Sequence, residues 1–191
     1  NDQEKNDFEK SLKIIGKQIK QIENLVNEFS DFARMPKPIL KDNNLVLLIQ
    51  DTINLIKELD SNILINFDHN KSEIILNSDN EQLSRVFFNL IKNSIESIQD
   101  KRLRNVNLKG KINIFLNENA SEMTFIIEDN GLGFELFADN IKDILNPYFT
   151  TKKKGTGLGL AIVNKTINDH NGLIEFIKIE NGAKIQIKFK R

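Results

Sequence analysis

The chain has 191 residues, with 27 basic side chains against 27 acidic ones and a formal net charge of zero, which removes the electrostatic case for nucleic acid or an anionic membrane as main partner. It has no cysteine and only two histidines, which excludes disulfides, thiolate zinc sites and a histidine-rich metal centre and fits a reducing cytoplasm. No apolar run approaches the ~20 residues of a membrane span and no signal peptide opens the chain, so the expectation is a cytoplasmic fragment whose membrane attachment, if any, lies in upstream segments.

Residues 8 to 33 follow one rule. Phe8, Leu12, Ile15, Ile19, Ile22, Val26, Phe29 and Ala33 alternate steps of four and three, the seam of a coiled coil or helical bundle. Leu25 and Phe32 widen the stripe, as a bundle helix with more than one neighbour needs. Met35-Pro36-Lys37-Pro38 then stops the helix, because two prolines lack the donor and bias the preceding residues to extended backbone. Residues 1–38 thus read as a bundle helix plus linker. Such a stripe cannot be buried by a lone helix and needs a partner helix, a second copy of the chain or its own globular domain.

From residue 39 to 191 the pattern is mixed α and β. Asn44 to Leu59 is an amphipathic helix; Ile63–Phe67 and Ile74–Leu76 are short strands. Asp79 can cap a long helix running to about Asp100, with Leu83, Val86, Phe87, Leu90, Ile91 and Ile98 facing a core. Lys111–Asn117 and Met123–Glu128 alternate like paired strands. Leu158 to Asn168 is a further helix, ended near Gly172. Ile174–Ile179 and Lys184–Phe189 form a last hairpin around Asn181-Gly182. Strands sharing one sheet with helices on one face predict an α+β, two-layer α/β sandwich.

Five of the nine glycines, Gly131, Gly133, Gly155, Gly157 and Gly159, fall within residues 131–159. They form two clusters, DNGLGF at 129–134 and KGTGLGLAIV at 154–163. Glycine is used where backbone turns with positive φ or approaches a ligand closely, and a connector between two glycine hinges has the form of a lid. A Walker loop would need GxxxxGK followed by Ser or Thr, and no such string occurs. A dinucleotide fingerprint would need glycine where Leu160 stands. The connector carries Thr150, Thr151, Lys152, Lys153 and Lys154, hydroxyls and cations suited to a polyphosphate. Gly157 and Gly159 precede a helix, whose free amides and dipole favour phosphate.

On the long helix, Asn89, Asn93 and Glu96 are spaced i, i+4, i+7 and share a stripe away from the Leu83, Phe87, Leu90 face. Gln82 and Arg85 extend it. Asparagine is a poor helix-interior residue, and its side-chain carbonyl is a hard oxygen ligand suited to magnesium.

These boxes, in this order, resemble the catalytic domain of sensor histidine kinases, which share an ATP fold with gyrase, the ninety-kilodalton heat-shock chaperones and MutL. FNLIKNSIES is similar to the asparagine box, DNGLGF and KGTGLGLAIV to the two glycine boxes and PYFTTK to the aromatic box. The front, IENLVNEFSDFARMPKP, resembles the second dimerisation helix of nitrogen-regulation sensors of the NtrY and NtrB type. The resemblance implies that Asn93 coordinates magnesium with Asn89 beside it, and that Asp129 accepts from the adenine amine. It implies that Gly131 and Gly133 let backbone approach the base. Thr150, Thr151 and Lys152 would sit in the lid, and Gly155, Thr156, Gly157, Leu158 and Gly159 would line the triphosphate. It also implies a response-regulator receiver domain as partner, a missing first dimerisation helix, and a homodimer through residues 8–33. His170, in DHNG, matches a structural family position.

Three departures stand out. Glu96 replaces a basic residue common one turn after the metal asparagine, which shifts the phosphate contact to Lys92 or the lid lysines. The last glycine box is reduced to Asn181-Gly182-Ala183. The acceptor string H-E-[IL]-[KR]-N-P-L does not occur, so the chain is expected not to phosphorylate itself. Two rival classes are an ATPase of the chaperone or topoisomerase kind and a non-enzymatic nucleotide switch; the former usually carries glutamate where Asn89 stands, to activate water.

Overall fold

A computed structural model describes residues 2–134, 141–150 and 155–190. Helix α1, Asp2–Ala33, precedes the proline linker. There follow β1 Lys41–Asn44, α2 Leu45–Ile56, a 3-10 turn at Lys57–Leu59, β2 Ile63–His69 and β3 Ile75–Ser78. Next come α3 Asn80–Arg102, β4 Gly110–Glu118, β5 Glu122–Asp129 and a second 3-10 turn at Ile141–Leu145. Helix α4, Gly159–Asp169, and the hairpin β6 Gly172–Lys178 and β7 Ala183–Lys190 complete the order.

The main sheet has the order β2-β4-β5-β7-β6. Strand β2 runs parallel to β4 and the other neighbours are antiparallel. The parallel pair requires a crossover, and β3 with α3 supplies it. Period-two alternation turns Ile112, Ile114 and Leu116 of β4, Met123, Phe125 and Ile127 of β5, and Ile185, Ile187 and Phe189 of β7 to one buried face. Helices α2, α3 and α4 cover that face. Phe87 of α3 meets Phe125 of β5 with ring centroids 4.8 Å apart, at the centre of the two-layer core.

The expected single sheet needs correction. Strand β3 leaves the main sheet and pairs antiparallel with β1, a strand without sequence signal because KDNN has no apolar alternation. Partner contacts make it: the Asn43 side chain donates to the Ser78 carbonyl at 2.7 Å. The expected helix to Leu59 also tightens, ending as α-helix at Ile56 and closing with one 3-10 turn. Both caps are local chemistry. Asn44 accepts from the Val46 amide at the start of α2, and Asp79 accepts from the Gln82 amide at the start of α3.

Asp79 also fastens the linker. Its carboxylate accepts from the Ile39 amide at 2.9 Å, while its own amide donates to Nε2 of His170 at 2.9 Å. The Gln82 side chain donates to the Pro36 carbonyl, and the Thr166 hydroxyl meets the Met35 sulfur. Partial burial pushes the Asp79 carboxyl up, but amides of Ile39, Gln82 and Glu81 outweigh it and hold the group below the ordinary carboxylate range. The α1 stripe itself stays open: Phe8, Leu12, Ile15, Ile19, Ile22, Val26 and Phe29 are all exposed.

Candidate functional site

A network of polar side chains gathers where β5 ends beside the carboxy-terminal half of α3. Asp129 stands in register with Ile112 and Ala183, so the pleat turns its carboxylate toward the helices, and only 7% of the residue is exposed. One carboxylate oxygen, Oδ2, accepts from the Ser94 hydroxyl at 2.8 Å, and Oδ1 accepts from the Gly131 amide at 2.9 Å. The Ala183 amide donates as well, and Lys101 adds positive potential. Burial is the largest influence and pushes the Asp129 carboxyl up; Ser94, Gly131, Ala183 and Lys101 pull against it without cancelling it. A carboxylate kept dry, with part of its acceptor capacity used internally, is a fixed acceptor for a donor arriving from outside.

Three side chains of α3 hold the loop that follows. Ser94, Ser97 and Lys101 are spaced i, i+3, i+7 and share one stripe. Ser97 Oγ accepts from the Leu132 amide at 2.9 Å. The Lys101 ammonium donates to the carbonyls of Asn130 and Gly131 at 3.0 and 2.8 Å. The sequence reading singled out none of the three. No local signal marks them, because Ser94 and Ser97 stand among Lys92, Asn93 and Glu96 in a stretch that is already largely polar.

This packing gives the first glycines a reason that involves no ligand. A Cβ on Gly131 would lie 2.3 Å from Ser97 Oγ, and one on Gly133, whose φ is +73°, would lie 2.3 Å from the Gly182 carbonyl oxygen. The reduced last box is therefore part of the same knot. Gly182, at φ +116°, backs onto the carbonyl of Asp129 itself.

The second stripe of α3 carries Asn89, Asn93 and Glu96, all half-buried. The exposed Lys92 and the half-buried Glu96 stand 3.9 Å apart, a spacing worth little next to water. Among the described residues no group of three His, Asp or Glu side chains could hold a metal. The donor set on α3 instead consists of amide oxygens, hard ligands that fit a magnesium ion sharing its shell with water and phosphate oxygens.

Across from α3, α4 begins at Gly159 with Leu158 as N-cap and no side-chain cap, which leaves its first amides available. A Cβ on Gly159 would meet nothing within 4 Å, so the backbone there borders open space. Leu158 itself is fully buried. Gly157 has φ +71°, and a Cβ there would strike the backbone of Tyr148 and Phe149. Its carbonyl accepts from the Tyr148 amide at 3.1 Å. Gly155 and Thr150 are exposed and Thr156 is half-buried. Thr151, Lys152, Lys153 and Lys154 lie outside the described residues.

The two histidines have different surroundings. His69 closes β2, with Nδ1 donating to the Lys71 carbonyl. His170 is buried; its Nδ1 donates to the Thr166 carbonyl at 2.8 Å and its Nε2 accepts from Asp79. Those partners fix the neutral Nδ1-protonated tautomer and use both ring nitrogens.

Residues 78–191 match the model of the histidine kinase-, DNA gyrase B- and HSP90-like ATPases. Over 97% of its length the chain is 36% identical to an NtrY-like sensor histidine kinase of Rickettsia prowazekii, and it spans 30% of that protein. It covers 95% of a nucleotide-free catalytic domain of the histidine kinase ThkA with a TM-score of 0.68 and 27% identity, using 79% of its own length. A structure of ThkA in complex with the response regulator protein TrrA aligns with 93% of the chain and is covered to 49%, with a TM-score of 0.73 and 24% identity.

Proposed function

The chain belongs to the histidine kinase-, DNA gyrase B- and HSP90-like ATPases, and we propose that it acts as the ATP-binding core of an NtrY-like sensor kinase, donating the γ-phosphoryl group to a histidine on a helical domain. The observation that carries this reading is the buried Asp129, held by Ser94 and the Gly131 amide at the start of a loop that Ser97 and Lys101 tie to α3. Asp129 accepts from the exocyclic amine of adenine. Gly131 and Gly133 keep the loop flat enough for the base to approach.

The triphosphate runs from there toward Gly155, Thr156, Gly157, the Leu158 backbone and Gly159, where the uncapped amides of α4 hold phosphate oxygens. Thr150, Thr151, Lys152 and Lys92 contribute hydroxyl and positive contacts. Asn93, with Asn89 beside it, holds magnesium, which when bound neutralises phosphate charge. The protein's contribution to transfer is positioning and electrostatic stabilisation, and an imidazole needs no strong base to attack phosphorus. Asn89, unlike glutamate, cannot activate water, which favours transfer over hydrolysis.

The helical partner completes the picture. Residues 1–38 form the second helix of a dimerisation hairpin, and 39–191 the catalytic domain. The exposed α1 stripe takes the first hairpin helix and a second copy of the chain. A response-regulator receiver domain takes the phosphate onward, as the resemblance to the ThkA–TrrA complex suggests for the fold. The setting is cytoplasmic; among the described residues no helix is long and apolar enough to cross a membrane.

With labelled ATP and magnesium the chain alone acquires no acid-labile phosphate, because His69 ends a strand rather than standing on an acceptor helix and both ring nitrogens of the buried His170 are in use. Mixed with a separate fragment bearing an acceptor helix, it labels that fragment. Labelling of the unaided chain on either histidine would reverse the assignment of donor and acceptor.

A further inference from the structure

The base-reading role of Asp129, proposed above, leaves open what keeps that carboxylate an acceptor and nothing else. Ser94 answers from the helix. It is 5% exposed, it shares the buried face of α3 with Leu90, Ile91, Ile95 and Ile98, and its hydroxyl donates to Asp129 Oδ2 at 2.8 Å. A serine hydroxyl has one proton and two lone pairs. With the proton committed to Asp129, every remaining polar feature of the pair is a lone pair.

We infer that Ser94 is a specificity-determining positioning residue: its hydroxyl locks Asp129 in an all-acceptor pose that admits a purine with an amino group at position six and rejects one with a carbonyl there. A 6-oxo purine would set its own lone pairs against those of Asp129 and Ser94. Without the Ser94 lock the carboxylate can turn, and the site loses the fixed opposition on which rejection depends.

The rest of the surroundings cannot replace Ser94. The Gly131 amide binds the other oxygen, Oδ1. Lys101 is occupied by the carbonyls of Asn130 and Gly131. From β4 the in-register neighbour is the apolar Ile112. From β7, Ala183 offers only its amide, and the adjacent Lys184 pairs with Glu128 at 2.7 Å on the opposite face of the sheet. Ser94 is the one side-chain hydroxyl among the described contacts of this carboxylate.

The test uses ATP and inosine triphosphate, which differ in the group at purine position six and in the N1 proton that the 6-oxo form carries with it, and reads the ratio of their affinities by calorimetry. Unmutated chain favours ATP. In Ser94→Ala that preference falls about tenfold, the scale of one hydrogen bond to a charged group. Ser94→Thr, which keeps the hydroxyl, restores it, and Ser94→Cys, nearly isosteric with a weak donor, falls between. Loss of packing alone would weaken both nucleotides together and leave the ratio unchanged. An unmutated chain that binds neither nucleotide, or both equally, removes the base-reading role of Asp129 itself. A discriminating unmutated chain whose Ser94→Ala form discriminates just as well overturns the role of Ser94 alone.

Discussion

The ring of Phe29 on α1 stacks on Tyr148, with centroids 6.5 Å apart and planes inclined by 27°. Tyr148 takes a left-handed backbone, φ +69°, unusual for a bulky residue, and it immediately precedes Phe149 and Thr150. Helix α1 thereby touches the segment that borders the second glycine box.

Tyr148 is the only tyrosine and the chain has no tryptophan, so tyrosine emission reports on the surroundings of this one residue. Phe29→Ala is expected to change Tyr148 emission while leaving the circular dichroism of the α/β domain intact, since an aromatic pair contributes only about 0.5–1.5 kcal/mol. Emission identical in the two proteins would mean that the contact is not formed in solution.

Gly182 is the strictest backbone position near the site. At φ +116° an added Cβ would lie within 1.7 Å of the Asp129 carbonyl oxygen, so Gly182→Ala must move either the hairpin turn or Asp129. The expected cost is on the order of 1–3 kcal/mol of stability, together with weaker ATP binding. Gly159→Ala is the control, because its Cβ meets nothing within 4 Å and alanine is the better helix former; thermal melts without nucleotide should leave it unharmed. Equal melting of Gly182→Ala and unmutated chain would contradict the packing described.

Much of this was legible in the sequence, and the reasons are physical. Amphipathic helices and alternating strands follow from apolar spacing, and Asp79 announced its cap by residue type, whereas Asn44, read as the first helical residue, caps α2 from the end of β1. Strand β1 was not legible, because KDNN becomes a strand only through its partner β3. The glycines were visible, but what confines Gly131, Gly133 and Gly182 is Ser97, the Gly182 carbonyl and the Asp129 carbonyl, contacts between segments far apart in the chain. Ser94, Ser97 and Lys101 were hidden for the same reason: their partners lie some thirty residues further on. His170 read as a helix-end residue, and its tie to Asp79 spans 91 positions.

Acidification gives a signed prediction for Asp129. Burial raises its carboxyl in the folded chain, so its contribution favours folding at pH below its unfolded value and is lost as pH rises through its folded value. Asp129→Asn carries no such charge. Measured without nucleotide, the unmutated chain should therefore gain stability relative to Asp129→Asn as pH falls through that window. Asp79, with a lowered carboxyl, acts in the opposite sense but is common to both proteins and cancels in the difference. A difference that stays flat or widens in favour of the variant would mean that Asp129 is not penalised by burial.

The most direct test of the central claim is calorimetric titration of the unmutated chain and of Asp129→Asn with ATP and GTP, in the presence of magnesium. The unmutated chain should bind ATP and strongly prefer it to GTP. Asp129→Asn should lose roughly ten- to hundredfold in ATP affinity, the size of a hydrogen bond to a charged acceptor, with little change for GTP. Absence of ATP binding by the unmutated chain, or an Asp129→Asn variant that binds ATP equally well, would contradict the account.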